Sequence, residues 1–171
     1  MAAAGFGSLK ALIVEDNTHM RSLLRALLNS IGIKDVSEAI HGQTAMLVLR
    51  ERKIDLVLTD LAMGTMDGLE LTRHVRNDED SSNPFVPIIM ITGHTERHQV
   101  EAARDAGVTE FLAKPITAHN LFARITEILE RPRAFVRCEQ YFGPDRRRHH
   151  EIENYMGPWR RAEDLQDAGV R

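Results

Sequence analysis

The chain is poor in cysteine and aromatic residues, and it has no long apolar segment. One cysteine, Cys138, excludes an intrachain disulfide and is typical of a protein in a reducing cytosol. No apolar run approaches the ~20 residues that cross a bilayer. The first residues also lack the basic and apolar regions of a secretory signal. These absences predict a cytoplasmic protein with no membrane partner.

Neither charge nor composition points to an unusual class of protein. The formal net charge is −3 over 171 residues, which gives no general attraction to nucleic acid. Hydrophobic residues make up 43% and charged residues 27%, as in ordinary globular proteins. The length therefore predicts one domain with an extension.

Short apolar segments alternate with amphipathic segments from residue 9 to about residue 130. The apolar segments lack regular polar alternation, which is typical of buried parallel strands. They predict strands at 9–14, 36–39, 54–59, 86–92 and 110–113. The amphipathic segments predict helices at 17–31, 43–52, 68–77, 96–106 and 117–131. This order predicts the α/β class: a doubly wound five-stranded parallel sheet, (βα)5, with helices on both faces.

Polar side chains stand where four of these strands end. They are the pair Glu15-Asp16, then Asp60, Thr92 and Lys114. Because the carboxyl ends of parallel strands lie at one edge of the sheet, we expect these side chains to share one crevice. Each residue alone is unremarkable, since acids and threonines are common at strand ends. Together they form a set that suits a divalent cation and a phosphoryl group.

The chemistry of phosphoryl transfer gives each residue an expected role. Asp60 is the candidate acceptor, because a carboxylate can form an aspartyl phosphate. Mg²⁺ (or Mn²⁺) would be bound directly by Asp16, Asp60 and the Ala62 backbone carbonyl, with Glu15 acting through water. Lys114 and Thr92 would bind the phosphoryl oxygens.

These residues resemble the receiver domain of two-component response regulators. The resemblance spans residues 8–131 and includes Asp-Leu-Ala-Met-Gly-Thr-Met-Asp-Gly at 60–68 and Phe-Leu-Ala-Lys-Pro at 111–115. It implies a flavodoxin-like strand order 2-1-3-4-5. It also implies a non-enzymatic phosphoacceptor switch, in which a histidine kinase or a histidine phosphotransfer protein phosphorylates Asp60. Thr92 and Phe111 would then move, and the surface of the fourth helix, fifth strand and fifth helix would bind a downstream protein.

Some positions depart from the family pattern or are variable in it. Gly64 stands where the family usually has proline, so the loop after Asp60 is expected to be looser or differently shaped. Glu15 replaces the commoner aspartate. By resemblance, Ala62 and His94 flank the water that hydrolyses the phosphate. The Lys114-Pro115 bond is expected to be cis, because Lys114 must turn back over the crevice.

Residues 132–171 form a C-terminal arm that is too short for an independent domain. The arm holds five of the nine aromatic residues of the chain. It also contains a repeat, Tyr-x-Gly-Pro-x-Arg-Arg, at 141–147 and again at 155–161. We expect the arm to dock on the receiver beside its switching face. The basic run at 146–148 makes a nucleic-acid contact a weaker alternative.

Two other classes of function share part of this pattern. A haloacid-dehalogenase-type phosphatase uses the same residue types, but its nucleophile follows the first strand in an Asp-x-Asp pattern. Here the candidate nucleophile Asp60 follows the third strand, with Ala62 two residues on. A phosphate-independent module with a receiver fold is the other alternative, although all five chemical groups are retained.

Overall fold

Five parallel strands form the central sheet of the computed structural model, which describes residues 6–93 and 97–146. Their order is β2-β1-β3-β4-β5, which confirms the predicted doubly wound topology. The strands are β1 (Lys10–Val14), β2 (Asp35–Ala39), β3 (Leu56–Asp60), β4 (Ile88–Thr92) and β5 (Glu110–Ala113). The helices are α1 (Thr18–Ser30), α2 (Gly42–Glu51), α3 (Gly68–Asn77), α4 (Arg97–Ala106) and α5 (Ala118–Glu130). A short 3-10 turn, Phe6–Ser8, precedes β1.

Side chains near the helix ends fix where the helices start and stop. The Asn17 side chain accepts a hydrogen bond from the Met20 N–H, and the Thr117 hydroxyl accepts one from the Asn120 N–H. They are the N-caps of α1 and α5, and both are of residue types that favour this position. Gly32 and Gly107 follow α1 and α4 with φ of 104° and 97°, a conformation that favours glycine.

The sheet is covered on both faces by apolar helix stripes. On one face, α1 and α5 pack leucines and isoleucines against alternate residues of β1, β3 and β4. On the other face, α2 and α3 pack against the intervening residues of β1 and β3. This two-sided burial explains why the strands read as continuous apolar runs. The helices cover the two faces of the sheet but not its carboxyl edge, where polar side chains can lie.

The arm contains an antiparallel hairpin that the sequence reading did not predict. Strands β6 (Phe135–Cys138) and β7 (Tyr141–Pro144) are joined by the two residues Glu139 and Gln140. The loop lacks the glycine or asparagine that usually marks such a turn, so little in the sequence indicates a hairpin here. The second copy of the repeat, at 155–161, lies outside the described residues.

The hairpin packs at one edge of the sheet, against α3 and α4. β7 contacts α3 and α4, and its residue Gly143 lies against Gly107, which follows α4. Phe142 is buried and forms an aromatic cluster with Phe85 and Phe135. Residues before β4 and β5 meet the hairpin here, so this is the amino edge of the sheet. The predicted docking of the arm therefore holds for this hairpin, which contacts α4 of the expected switching face but lies at the amino edge of the sheet.

No helix within residues 6–93 and 97–146 combines the length and the apolar character that a membrane span requires.

Candidate functional site

Three of the predicted polar side chains meet at the carboxyl edge of the sheet. Asp60 is the last residue of β3, Glu15 follows β1 and Lys114 follows β5. The Lys114 Nζ lies 3.0 Å from Asp60 Oδ2 and 3.7 Å from Glu15 Oε2. One ammonium group therefore lies beside two carboxylates. The Asp60 side chain is also fixed by the Leu61 N–H, which donates to Oδ1 at 2.7 Å.

Glu15 is the most deeply buried acid of this group, at 1% relative exposure. Its Oε1 accepts a hydrogen bond from the Asn17 N–H at 3.0 Å, while its Oε2 is buried and has no hydrogen-bond partner. Burial is the main cause that raises the pKa of Glu15 to about 7, and the Asp60 carboxylate raises it further. The Asn17 N–H and the Lys114 ammonium act in the opposite direction.

The segment that carries the acid pair is held by an arginine that sequence reasoning missed. The Arg21 guanidinium donates to the Glu15 carbonyl oxygen at 2.8 Å and to the Asp16 carbonyl oxygen at 3.4 Å. It also pairs with Glu38 of β2 at 3.1 Å. Arg21 thus ties the end of β1 to the first turn of α1. In the sequence it is one more charged residue on a helix, with no feature that marks this contact.

The acids and the lysine line one open cleft. Its volume is about 430 Å³, and Glu15, Asp16, Asp60 and Lys114 lie in its wall together with the start of α1. Asp16 is exposed there, whereas Glu15 and Asp60 are buried. The cleft is therefore polar at its base and open to an incoming phosphoryl donor.

The donor set fits a hydrated divalent cation. An unpartnered buried carboxylate oxygen, as at Glu15 Oε2, is rare in native proteins and is the type of atom that such an ion binds. Within the described residues, no three His, Cys, Asp or Glu side chains lie close enough together to hold a metal ion alone. Mg²⁺ would therefore need a backbone carbonyl and waters as further ligands, which is its usual coordination.

The other predicted residues lie in β4 and β5 or directly after β5. Thr92 ends β4 and is buried, and its carbonyl oxygen accepts a hydrogen bond from the Lys114 N–H at 2.9 Å. Phe111 is half-buried and packs against a cluster formed by Met90, Ala103 and Val108. The Lys114-Pro115 bond is cis, as predicted.

The loop after Asp60 does not use the positive φ that Gly64 permits. Ala62 and Gly64 are both exposed. Gly64 does not adopt a positive φ, which among the described residues only Gly32 and Gly107 do. The conformational freedom that glycine permits is therefore not used here. His94, the other residue expected to flank the hydrolytic water, lies outside the described residues.

The fold and this cluster of acids and lysine define a family. Residues 11–126 match the model of the response regulator receiver domain. The chain is 36% identical over 124 residues to chemotaxis protein CheY-3 of Vibrio cholerae, which covers 72% of this chain and 94% of the relative. It is 37% identical over 123 residues to chemotaxis protein CheY of Pseudomonas aeruginosa, with 72% and 98% covered. The chain belongs to the response regulator receiver domain family of two-component signalling.

Solved structures agree with this assignment. A CheY-like receiver domain protein from Methanospirillum hungatei superposes with a TM-score of 0.64 at 26% identity, over 72% of this chain and 95% of that chain. The receiver domain of a sensor histidine kinase from Pseudomonas aeruginosa, with a magnesium ion coordinated in its active-site cleft, gives a TM-score of 0.63 at 28% identity. That match covers 70% of this chain and 95% of the other.

Proposed function

We propose that this receiver accepts a phosphoryl group on Asp60 and signals by binding other proteins, without being an enzyme for a separate substrate. The observation that carries the proposal is the placement of Lys114 Nζ against both Asp60 and the buried Glu15. Phosphoryl transfer depends mainly on positioning and on compensation of charge, and this cluster supplies both.

The phosphoryl donor would be a phosphohistidine of a histidine kinase or of a histidine phosphotransfer protein. A carboxylate oxygen of Asp60 forms the new P–O bond as the P–N bond of the donor breaks, and the imidazole leaves. The Leu61 N–H and the Lys114 ammonium hold the carboxylate in place during this step. Lys114 would also bind an oxygen of the transferred group, and the Thr92 hydroxyl would bind another.

Mg²⁺ (or Mn²⁺) would be held by Asp16, Asp60 and the Ala62 carbonyl, with Glu15 acting through water. Bound there, the ion would neutralise charge on the phosphoryl oxygens. The Pseudomonas aeruginosa receiver solved with magnesium in its cleft supports this assignment by similarity. Because Glu15 Oε2 is buried and accepts no hydrogen bond, Glu15 would orient a water on the ion.

The same proposal assigns a role to each part of the chain. Residues 1–131 form the receiver domain, and residues 132–171 form an arm that depends on it. Thr92 and Phe111 would change position on phosphorylation, and Ala62 and His94 would set the rate of hydrolysis. The downstream partner is a protein rather than a nucleic acid, and the setting is the cytoplasm.

Beryllofluoride, which mimics a phosphoryl group on a carboxylate, tests this proposal. With Mg²⁺, we expect amide resonances of Thr92, Phe111 and Lys114 to shift, and we expect no shift in EDTA. The Asp60→Asn variant should not respond in either buffer. If the wild-type resonances are unmoved in the presence of Mg²⁺, the phosphoacceptor function fails, and a phosphate-independent receiver module becomes the better interpretation.

A further inference from the structure

A short linker joins β1 to α1 and carries the acid pair of the cleft. β1 ends at Val14 and α1 begins at Thr18. The peptide groups of Glu15 and Asp16 therefore belong to neither element. The Glu15 N–H still bonds to the carbonyl oxygen of Ala39, the last residue of β2, at 3.1 Å. After that bond the backbone leaves the sheet, so other contacts must fix its direction.

The guanidinium of Arg21 supplies these contacts. It donates to the Glu15 carbonyl oxygen at 2.8 Å and to the Asp16 carbonyl oxygen at 3.4 Å. A further contact, at 3.5 Å, joins it to the Thr18 hydroxyl. Only 14% of the Arg21 side chain is exposed, so these contacts are largely shielded from water. A planar guanidinium with five N–H donors can hold several acceptors in fixed directions, which the flexible ammonium of a lysine cannot.

Two of these acceptors lie on either side of the Asp16 α-carbon. The Glu15 carbonyl belongs to the peptide group before that carbon, and the Asp16 carbonyl belongs to the peptide group after it. Because each peptide group is planar and rigid, holding both restricts the φ and ψ of Asp16. Asp16 is exposed and lines the cleft. The direction of its side chain therefore depends on Arg21.

Arg21 is itself held from β2. Its Nε pairs with the Glu38 carboxylate at 3.1 Å. Arg25, one turn further along α1, pairs with the same carboxylate at 2.5 Å and donates to the Val36 carbonyl oxygen at 3.1 Å. The hydrogen bond from Arg25 is the main cause that lowers the pKa of Glu38, and Arg21 adds to it. Glu38 is thus a charged anchor that fixes the Arg21 guanidinium relative to the sheet.

We propose that Arg21 is a positioning residue for the divalent-metal site, because it directs the Asp16 carboxylate through the backbone. The inference rests on the proposed function, in which Asp16 is a direct ligand of Mg²⁺. Arg21 itself would not touch the ion. Contacts behind metal ligands commonly change metal affinity by about 10–100-fold when they are removed.

The charge of Arg21 has the opposite effect on a cation, which gives the proposal a definite sign. A guanidinium near the cleft repels a divalent cation, so loss of the charge alone should tighten metal binding. Loss of the contacts to the linker should weaken it. Arg21→Lys keeps the charge but not the planar set of donors, whereas Arg21→Met removes both.

Titration of the full-length protein with Mg²⁺, followed by amide NMR, measures these effects. We expect Arg21→Lys to bind Mg²⁺ about tenfold more weakly than the wild type. Arg21→Met should also bind more weakly, but by a smaller factor, because loss of the charge offsets part of the effect. In EDTA, the amide resonances of Asp16 and Asn17 should shift in both variants, since the linker is no longer held before any ion binds.

A matched control is Arg52→Met. Arg52 also pairs with an acid of β2, Asp35, at 2.9 Å. Asp35 lies opposite Lys10, at the end of β1 away from the acid pair. This variant should therefore bind Mg²⁺ with wild-type affinity.

Three results would overturn the inference. Wild-type affinity in Arg21→Lys would show that the linker is held without the guanidinium. Tighter binding by Arg21→Met would mean that Arg21 acts on the site through its charge alone. A wild type that binds no Mg²⁺ would remove the proposed metal site and this inference with it, which separates that failure from the other two. Arg21→Lys decides the case if Arg21→Met does not fold.

Discussion

At the scale of single residues, the site depends on one cation placed between two acids. Asp60 and Glu15 are both buried, and like charges at close range oppose each other in a medium of low polarity. The Lys114 ammonium compensates the negative charge of both acids, while Glu15 Oε2 accepts no hydrogen bond. The cluster thus has part of its negative charge compensated by Lys114 and still offers a hydrated ion an acceptor that takes no hydrogen bond.

Replacing this cation tests its role. We expect Lys114→Met to lower the free energy of unfolding in EDTA by about 1–3 kcal/mol, since a charged hydrogen bond is lost and two acids are left facing each other. Urea unfolding followed by circular dichroism measures the change. Lys53→Met removes an exposed lysine and is the control. Equal stability of the two variants would contradict the account.

Metal binding should stabilise the native protein. A ligand that binds the folded state alone adds RT ln(1 + [L]/Kd), about 1.4 kcal/mol at ten times Kd. We expect Mg²⁺ to raise the melting temperature of the wild type and to have a smaller effect on Asp16→Asn. If the two proteins respond to Mg²⁺ alike, Asp16 is not a ligand.

At the scale of elements, the arm hairpin packs against a buried charge of the receiver. Arg76 of α3 is 1% exposed and donates to the carbonyl oxygens of Gly107, Pro84 and Val86. Its guanidinium also lies 5.1 Å from the centre of the Phe135 ring. Burial is the main cause that lowers the pKa of Arg76 to about 10. Backbone dipoles and an aromatic face therefore stabilise this cation without a carboxylate.

Two glycines give a matched test of how closely the hairpin docks. A Cβ on Gly143 would lie 2.8 Å from the Gly107 Cα and 2.5 Å from the Tyr141 hydroxyl. Gly143→Ala should therefore destabilise the protein by about 1–3 kcal/mol, as overpacking does. Gly64→Ala meets nothing within 4 Å and has no positive φ, so it should be neutral or slightly stabilising. Thermal unfolding compares them, and equal effects would contradict the described packing.

Periodicity was enough to predict the sheet, and strand-end chemistry was enough to predict that Glu15, Asp60 and Lys114 lie together. The caps Asn17 and Thr117 and the glycines after α1 and α4 obey local rules of helix termination. The contacts of Arg21 and Arg76 depend on tertiary packing, so no spacing in the sequence marks them. The hairpin was missed because its turn is Glu139-Gln140, which lacks the usual turn residues.

At the scale of the whole molecule, α4 links the two edges of the sheet. It leads from the loop after Thr92 to Asp105 and Gly107, which the arm contacts through Arg146 and Gly143. Any displacement of α4 that follows phosphorylation must therefore alter the docking of the hairpin. By thermodynamic reciprocity, the hairpin must alter phosphorylation by the same free energy.

Hydrogen exchange measures this coupling. With beryllofluoride and Mg²⁺, we expect protection of the amides at 141–146 to differ from that of the free protein. The Gly143→Ala variant, in which the hairpin is loosened, should bind beryllofluoride with a changed apparent affinity. Identical exchange in both states, with identical affinity in the variant, would show that the arm is not coupled to the site.

The central claim is that Asp60 is the phosphoacceptor. The most direct test is the intact mass of the protein after incubation with acetyl phosphate and Mg²⁺. The account predicts one added phosphoryl group on the wild type and on Asp80→Asn, which alters an exposed acid far from the cleft. It predicts none on Asp60→Asn or on the wild type in EDTA. Phosphorylation of Asp60→Asn to the wild-type extent, or an unmodified wild type in Mg²⁺, would contradict it.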